Sequence, residues 1–213
     1  MQIHFYSPNR IEPWDYRNVF DVGIGGSETS HVEMAMRLAK RGHAVTSYTD
    51  LPADCPCREF GGVCWRHINQ ADLSEPGLWI VYRQPSVGLS LEPATDRQYW
   101  LVCQDVFYPD WSPEAVAHFD RIIGLCPRHL EDIRSRDPSV GDRLCLSSNG
   151  VNVERIQAVE QWATWNIKRH PRRIVWTSSP DRGLKETLDI FERAREQVPD
   201  LELHVFYGMD NID

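Results

Sequence analysis

The stretch from Asp21 to Asp50, D-V-G-I-G-G-S-E-T-S-H-V-E-M-A-M-R-L-A-K-R-G-H-A-V-T-S-Y-T-D, holds a glycine-rich loop, an amphipathic helix, a sharp stop and a strand, in that order. Gly25 and Gly26 are expected to let the backbone take positive φ and approach a ligand closely. Ser27 is the expected N-cap of a helix running from Ser27 to Arg41. The first turn of that helix offers free N–H groups and the positive end of a dipole, which suits a phosphate or a sugar hydroxyl. The alternative reading of the two glycines is a plain tight turn. Val32, Ala35, Met36 and Ala39 recur at helical spacing and supply a buried face. Lys40 and Arg41 suit the last turn, and Gly42 suits the C′ position.

Working outward, short apolar runs alternate with helical segments, the pattern of a parallel α/β sheet. Strands are expected at Ile3–Tyr6, Ala44–Tyr48, Val63–Ile68, Leu78–Tyr82, Trp100–Gln104, Arg121–Leu125 and Arg143–Leu146. Further helices are expected at Pro113–His118 and Pro127–Ser135, each opened by a proline at its first turn. A weaker helical segment is expected within Ser86–Asp96. After Asn152 the character changes. Residues 153–172 read as a weakly helical linker ending in the basic run Lys168–Arg173, which is either a solvated connection or a phosphate-contacting patch. A second βαβ unit begins at Arg173, with a strand at Ile174–Thr177, a helix at Leu184–Gln197 and a strand at Leu201–Tyr207. The fold class expected is therefore α/β, a Rossmann-like parallel sheet over residues 1–152 followed by an incomplete second βαβ domain over 173–213. A lone βαβ unit buries too little apolar surface to stand alone. It is expected to dock on the first domain, to pair with another chain, or to belong to a longer protein.

Composition narrows the function classes. The chain has 213 residues, 41% of them hydrophobic, enough for one full α/β domain and part of another. A formal net charge of −8 argues against a nucleic-acid partner and gives no support to docking on anionic lipid. No apolar run approaches the roughly 18 residues a membrane helix needs. The N-terminus lacks a signal-peptide pattern, so a cytoplasmic location is the default expectation. The six cysteines are then expected to be reduced, with Cys103, Cys126 and Cys145 as small buried hydrophobes. Cys55, Cys57, Cys64 and His67 cluster locally. Their spacing is not that of a common zinc finger, so no metal is expected; free thiols on a loop and strand are the main reading.

Two tests bear on the glycine loop. Gly23-x-Gly25-Gly26 begins like a dinucleotide fingerprint, but Glu28 stands where the last glycine belongs. The stretch from Ser7 to Val22 also separates the loop from its strand, whereas a pyrophosphate site needs a tight strand-to-helix turn. Instead, Gly25-Gly26-Ser27-Glu28 and Arg41-Gly42-His43-Ala44-Val45 resemble the G-G-x-E and R-G-H-x-V motifs of retaining nucleotide-sugar glycosyltransferases of the GT-B fold, the large family 4 group. The resemblance continues through Phe119–Cys126, Ser148-Asn149-Gly150-Val151-Asn152 and Ser178-Ser179-Pro180-Asp181-Arg182-Gly183, and these matches follow one another in order along most of the chain.

What the resemblance implies is transfer of a sugar, with retention, from a nucleoside diphosphate sugar to an acceptor hydroxyl, with no further cofactor. The acceptor is a glycan, lipid or small molecule. Gly25, Gly26, Ser27 and Glu28 would form one wall of the interdomain cleft. Arg182 and Gly183 would meet the donor diphosphate, where a fixed cation stabilises the charge of the departing group; where the family carries a second basic residue, this chain has Thr177. Gln104 and Asp105, at the end of a strand, would face the acceptor or the transferred sugar. Asp105 is the candidate general base, and the alternative is a carboxylate capping a nearby turn. Arg83 is a further candidate for acceptor contact, and Asn149-Gly150 for a backbone role near the hinge. The family's later paired-glutamate signature has no counterpart here, so the expectation is weak or absent activity unless a second chain or a missing segment completes the donor domain. Two other readings stand beside this one: a non-catalytic sugar- or partner-binding module derived from such an enzyme, and a nucleotide-sugar epimerase relative.

Overall fold

A computed structural model describes residues 1–8, 14–21, 24–52, 58–166 and 170–206, and the chain divides into two units, Met1–Asn152 and Val153–Asp213. The first unit contains an eight-stranded sheet: β1 (Gln2–Ser7), β2 (Ala44–Thr49), β3 (Arg58–Phe60), β4 (Val63–His67), β5 (Gly77–Tyr82), β6 (Arg97–Val102), β7 (Arg121–Gly124) and β8 (Leu144–Leu146). Its spatial order is β3-β4-β2-β1-β5-β6-β7-β8, and every pairing is parallel except that of β3 with β4. The helices of this unit are α1 (Asn18–Asp21), α2 (Gly26–Lys40), α3 (Pro113–Val116) and α4 (Pro127–Arg136).

Both faces of the sheet are covered, which is why β5 reads G-L-W-I-V-Y with almost no polar interruption. Period-two alternation sorts its residues. Leu78, Ile80 and Tyr82 join Ile3, Phe5, Val32, Ala35 and Trp65 on one face, while Trp79 and Val81 join Tyr99, Leu101, Phe119 and Ile122 on the other. Side chains such as Phe5, Leu101 and Ile122 are essentially inaccessible, and burial of each is worth about 1.5–3 kcal/mol. The helix that opens the chain's most telling segment supplies Val32 and Ala35 to the first face, as its spacing predicts. It stops where expected: Gly42 takes φ 87°, its N–H bonds to the Ala39 carbonyl, and the His43 N–H bonds to the Leu38 carbonyl. That pair of bonds is a Schellman motif.

The helix start differs from the expectation. Gly25, not Ser27, is the N-cap of α2, at φ −57°, and neither Gly25 nor Gly26 has positive φ. An extended Gly25 already turns the chain into the helix, so Ser27 falls inside the first turn. The strand expected to reach Gln104 ends at Val102, because the amides of Gln104 and Asp105 turn away to the Tyr108 hydroxyl. The Ser86–Asp96 segment carries only a short 3₁₀ stretch, Pro85–Ser90. Cys103 is buried, but Cys145 is only half-buried and Cys126 is exposed. Cys126 is the N-cap of α4, its sulfur accepting from the His129 N–H at 3.4 Å. Ser112 and the prolines at 113 and 127 open α3 and α4 as expected.

In the second unit, α5 (Val153–Asn166) precedes β9 (Arg173–Trp176), α6 (Leu184–Gln197) and β10 (Glu202–Val205). β9 and β10 pair in parallel, Arg173 opposite Glu202, to make a two-stranded sheet. None of residues 153–161 and 170–206 is buried, and Ile174, Val175, Leu188, Ile190, Val205 and Phe206 are exposed. Among the described residues no helix is long and apolar enough to cross a membrane.

Candidate functional site

The strand order of the first unit reverses between β1 and β5: from β1 the chain goes outward through β2 and β4, then returns to β5 and continues through β6, β7 and β8. Ligands of open α/β sheets bind outside the carboxyl ends of the strands at such a switch point. Glu28, Arg83 and Asp105 meet there. Glu28 lies in the first turn of α2, which links β1 to β2; Arg83 directly follows β5; Asp105 lies in the loop after β6. The Arg83 guanidinium donates from Nε to Asp105 Oδ2 at 2.6 Å and from NH1 to Glu28 Oε1 at 3.0 Å. All three side chains are half-buried. Burial works against the charged guanidinium, but the hydrogen bond and charge of Asp105, with the charge of Glu28, outweigh it and hold the Arg83 pKa above its ordinary value.

Arg83 also carries the one left-handed backbone conformation of a non-glycine residue among those described, φ 60°. Such a conformation costs an L-residue on the order of 1 kcal/mol or more and persists only where its surroundings enforce it. Here the Arg83 N–H is tied to the Val102 carbonyl at 3.0 Å and the side chain is held by two carboxylates. A Cβ at Gly25 would meet the end of the Glu28 side chain, so a substitution there would require that carboxylate to shift from its place beside Arg83, whereas a Cβ on Gly26 or Gly150 would meet nothing within 4 Å.

A ring of neutral polar groups borders the ion cluster. Gln104 and Asn149 exchange amide hydrogen bonds at 3.0 and 3.1 Å, and the Ser30 hydroxyl donates to Asn149 Oδ1 at 3.0 Å. Asn152 donates to Glu33 at 2.8 Å, which lays the 148–152 loop along α2. Tyr108 sits beneath the loop after β6, its hydroxyl accepting from the Gln104 N–H at 2.6 Å and the Asp105 N–H at 2.8 Å. Cys103 is not an available nucleophile, since burial pushes its thiol up to about 12. Burial likewise lowers the pKa of His129, with the backbone of Asp105 acting in the opposite direction.

The structure thus brings together Gly25, Glu28, Arg83, Gln104, Asp105 and Asn149. Asp105 pairs with Arg83 and does not cap the turn before α3, where Ser112 is the cap. Arg83 is engaged by the carboxylates of Asp105 and Glu28. Ser30, Tyr108 and Asn152 were missed by sequence reasoning. For Tyr108 a signal was present, an aromatic-rich run V-F-Y-P-D-W between a strand end and a proline-opened helix. Two carboxylates around one guanidinium leave a net negative charge, which disfavours a phosphate at the Gly25–Gly26 loop. Carboxylate and amide oxygens accept from hydroxyls, and amide N–H groups donate to them, so the chemistry of this cluster suits a polyhydroxylated molecule.

No protein-family model matches this chain, and no curated protein matches it significantly.

In the second unit, Arg182 ends the one-turn 3₁₀ helix Pro180–Arg182, and Gly183 follows at φ 99° as the N-cap of α6. The left-handed glycine accounts for the R-G pair: the Thr187 N–H and hydroxyl both bond to its carbonyl, at 3.0 and 2.9 Å. Arg182 is exposed and makes no ion pair among the described residues. Of the thiol and imidazole cluster, Cys55 and Cys57 lie outside the described residues. Cys64 accepts from Arg66 at 3.4 Å and His67 accepts from the Asn69 N–H at 3.2 Å. Among the described residues no group of three or more His, Cys, Asp or Glu is placed to hold a metal ion.

Proposed function

We propose that the chain is a GT-B-type sugar transferase, its first unit holding a polyhydroxylated acceptor and its second unit contributing Arg182 and Gly183 toward the diphosphate of a nucleoside diphosphate sugar. The observation that carries this reading is the Glu28–Arg83–Asp105 cluster at the switch point of the sheet, bordered by Gln104 and Asn149. Motifs far apart in sequence, which resemble those of retaining glycosyltransferases, contribute to one hydroxyl-binding cluster. Arg83 fixes both carboxylates in place. Asp105, through the oxygen not bonded to Arg83, would orient the acceptor hydroxyl, and Gln104 and Asn149 would read neighbouring hydroxyls. Opposite charge at the leaving diphosphate would come from the exposed guanidinium of Arg182.

Calorimetric titration of a panel of nucleoside diphosphate sugars tests the reading. The expected outcome is saturable binding of at least one donor, weakened by Arg182→Ala and left intact by Asp105→Asn. Absence of binding across the panel would refute it. A second reading is favoured by a specific observation: with Asp105 bonded to Arg83 at 2.6 Å, the cluster can bind a sugar without supplying a free base. A non-catalytic sugar-binding module would bind glycans in the first unit and transfer nothing from any donor.

A further inference from the structure

The loop after β6 borders a second feature, unrelated to the ion cluster in its chemistry. A pocket of about 280 Å³ is lined by Phe107, Tyr108, Trp111, Ile133, Arg136 and Asp137. Small-molecule sites span roughly 300–1,000 Å³, so this one has room for a single ring with a short tail. Its walls are preformed. The Trp111 indole N–H donates to Asp137 Oδ2 at 3.1 Å, and the other Asp137 oxygen accepts from the Ser139 N–H and hydroxyl. Tyr108 is fixed by the two amides its hydroxyl receives, and its ring lies 6.0 Å from that of Trp111, inclined by 44°. Asp137 is therefore occupied by protein donors, although it lines the pocket.

Arg136 is the opposite case. It ends α4, is exposed, reaches the Val106 carbonyl with one NH group and makes no ion pair among the described residues. Beside it Val106 and Phe107 are 68% and 69% exposed, large apolar side chains left in water at the edge of a pocket. Three aromatic rings suit a flat apolar group, which they meet by offset or edge-on contact. A guanidinium with unused donors suits a carboxylate.

We propose that this pocket binds a small aromatic carboxylate, its ring against Phe107, Tyr108 and Trp111 and its anion on Arg136. The site requires neither a sugar donor nor a transfer step. Because Tyr108 also holds the amides of Gln104 and Asp105, a ligand here touches the residue that positions the loop of the candidate sugar site.

The test is an NMR titration of the full chain with 3-phenylpropionate and, in parallel, with the neutral 3-phenylpropanol. The reporter is the indole N–H resonance of Trp111, assigned by its loss in Trp111→Phe. The expected result is a saturable shift with the carboxylate. Arg136→Gln should weaken the carboxylate about tenfold, equivalent to about 1.4 kcal/mol, and leave the alcohol unchanged. Phe107→Ala should weaken both. Both substitutions are at exposed positions and should leave the folded spectrum intact. No shift of the Trp111 resonance at about 10 mM ligand, or equal carboxylate affinity in wild type and Arg136→Gln, would overturn the proposal.

Discussion

Acid should begin to destabilise this protein through His31 before its carboxylates are protonated. His31 lies on α2 against the sheet with no accessible surface, its Nε2 2.7 Å from the Ser47 hydroxyl and its ring packed among Phe5, Trp14, Trp65 and Tyr82. Its Nδ1 is buried with no hydrogen-bond partner among the described residues. Burial therefore pulls its pKa down from 6.5 to about 3. Between those values the unfolded chain binds a proton that the folded chain refuses, so stability rises with pH there and is lost as pH falls below about 6.5. The slope approaches about 1.4 kcal/mol per pH unit, or roughly 2 kcal/mol between pH 6.5 and 5. That is a large share of an ordinary folding free energy of about 5–15 kcal/mol. His4, lowered by burial against the opposing Pro76 carbonyl and Glu75, acts with the same sign. Urea midpoints of wild type and His31→Leu, at about pH 7, 6 and 5, check the reasoning. The variant loses stability at every pH, because the Ser47 hydroxyl is orphaned and the ring contacts go, but its profile should be flatter by about 1 kcal/mol per pH unit. Parallel profiles for the two proteins over this range would refute the argument.

Two further substitutions probe the site and its support. Arg83→Ala and Arg83→Gly both remove the clamp on Glu28 and Asp105, but only glycine accepts φ 60° freely, so chemical denaturation should find the glycine variant more stable by about 1 kcal/mol. Equal stabilities would mean that the backbone relaxes once the guanidinium is gone. A Cβ at Gly88 would run into the Ala115 carbonyl and the Phe119 ring, so Gly88→Ala should cost roughly 2–3 kcal/mol in thermal or urea unfolding; a loss under about 0.5 kcal/mol would show that α3 can move away.

The sheet was legible because its central strands are buried on both sides: β5 is a nearly uninterrupted apolar run, and Ile3, Phe5 and Ile122 mark β1 and β7. The end of α2 was legible because Arg41-Gly42-His43 encodes a local event, the left-handed turn at Gly42. Its start was not. Serine is a frequent N-cap, but Gly25 takes that place, beside a Glu28 carboxylate held by Arg83, which lies far along the chain. The same holds for the site. Glycines, carboxylates and strand ends could be nominated singly, yet the bond of Asp105 to Arg83 rather than to the turn before α3 is a tertiary choice. Strand β3 went unrecognised because its residues, R-E-F, do not alternate. The turn after it did carry a signal, Gly61-Gly62 at φ 62° and 78°, a pair suited to a two-residue hairpin.

That small hairpin bears on how the molecule behaves in company. A sheet of eight strands offers a row of unpaired amides and carbonyls at each border, a template for another chain to extend. Here the borders are β3 and β8, three residues each, and the first runs against the direction of all its fellows. An incoming strand would find too few consecutive partners to hold on either side. Growth of the first unit by edge-to-edge addition is thereby discouraged at both ends, and concentrated solutions of it should resist fibrous self-association.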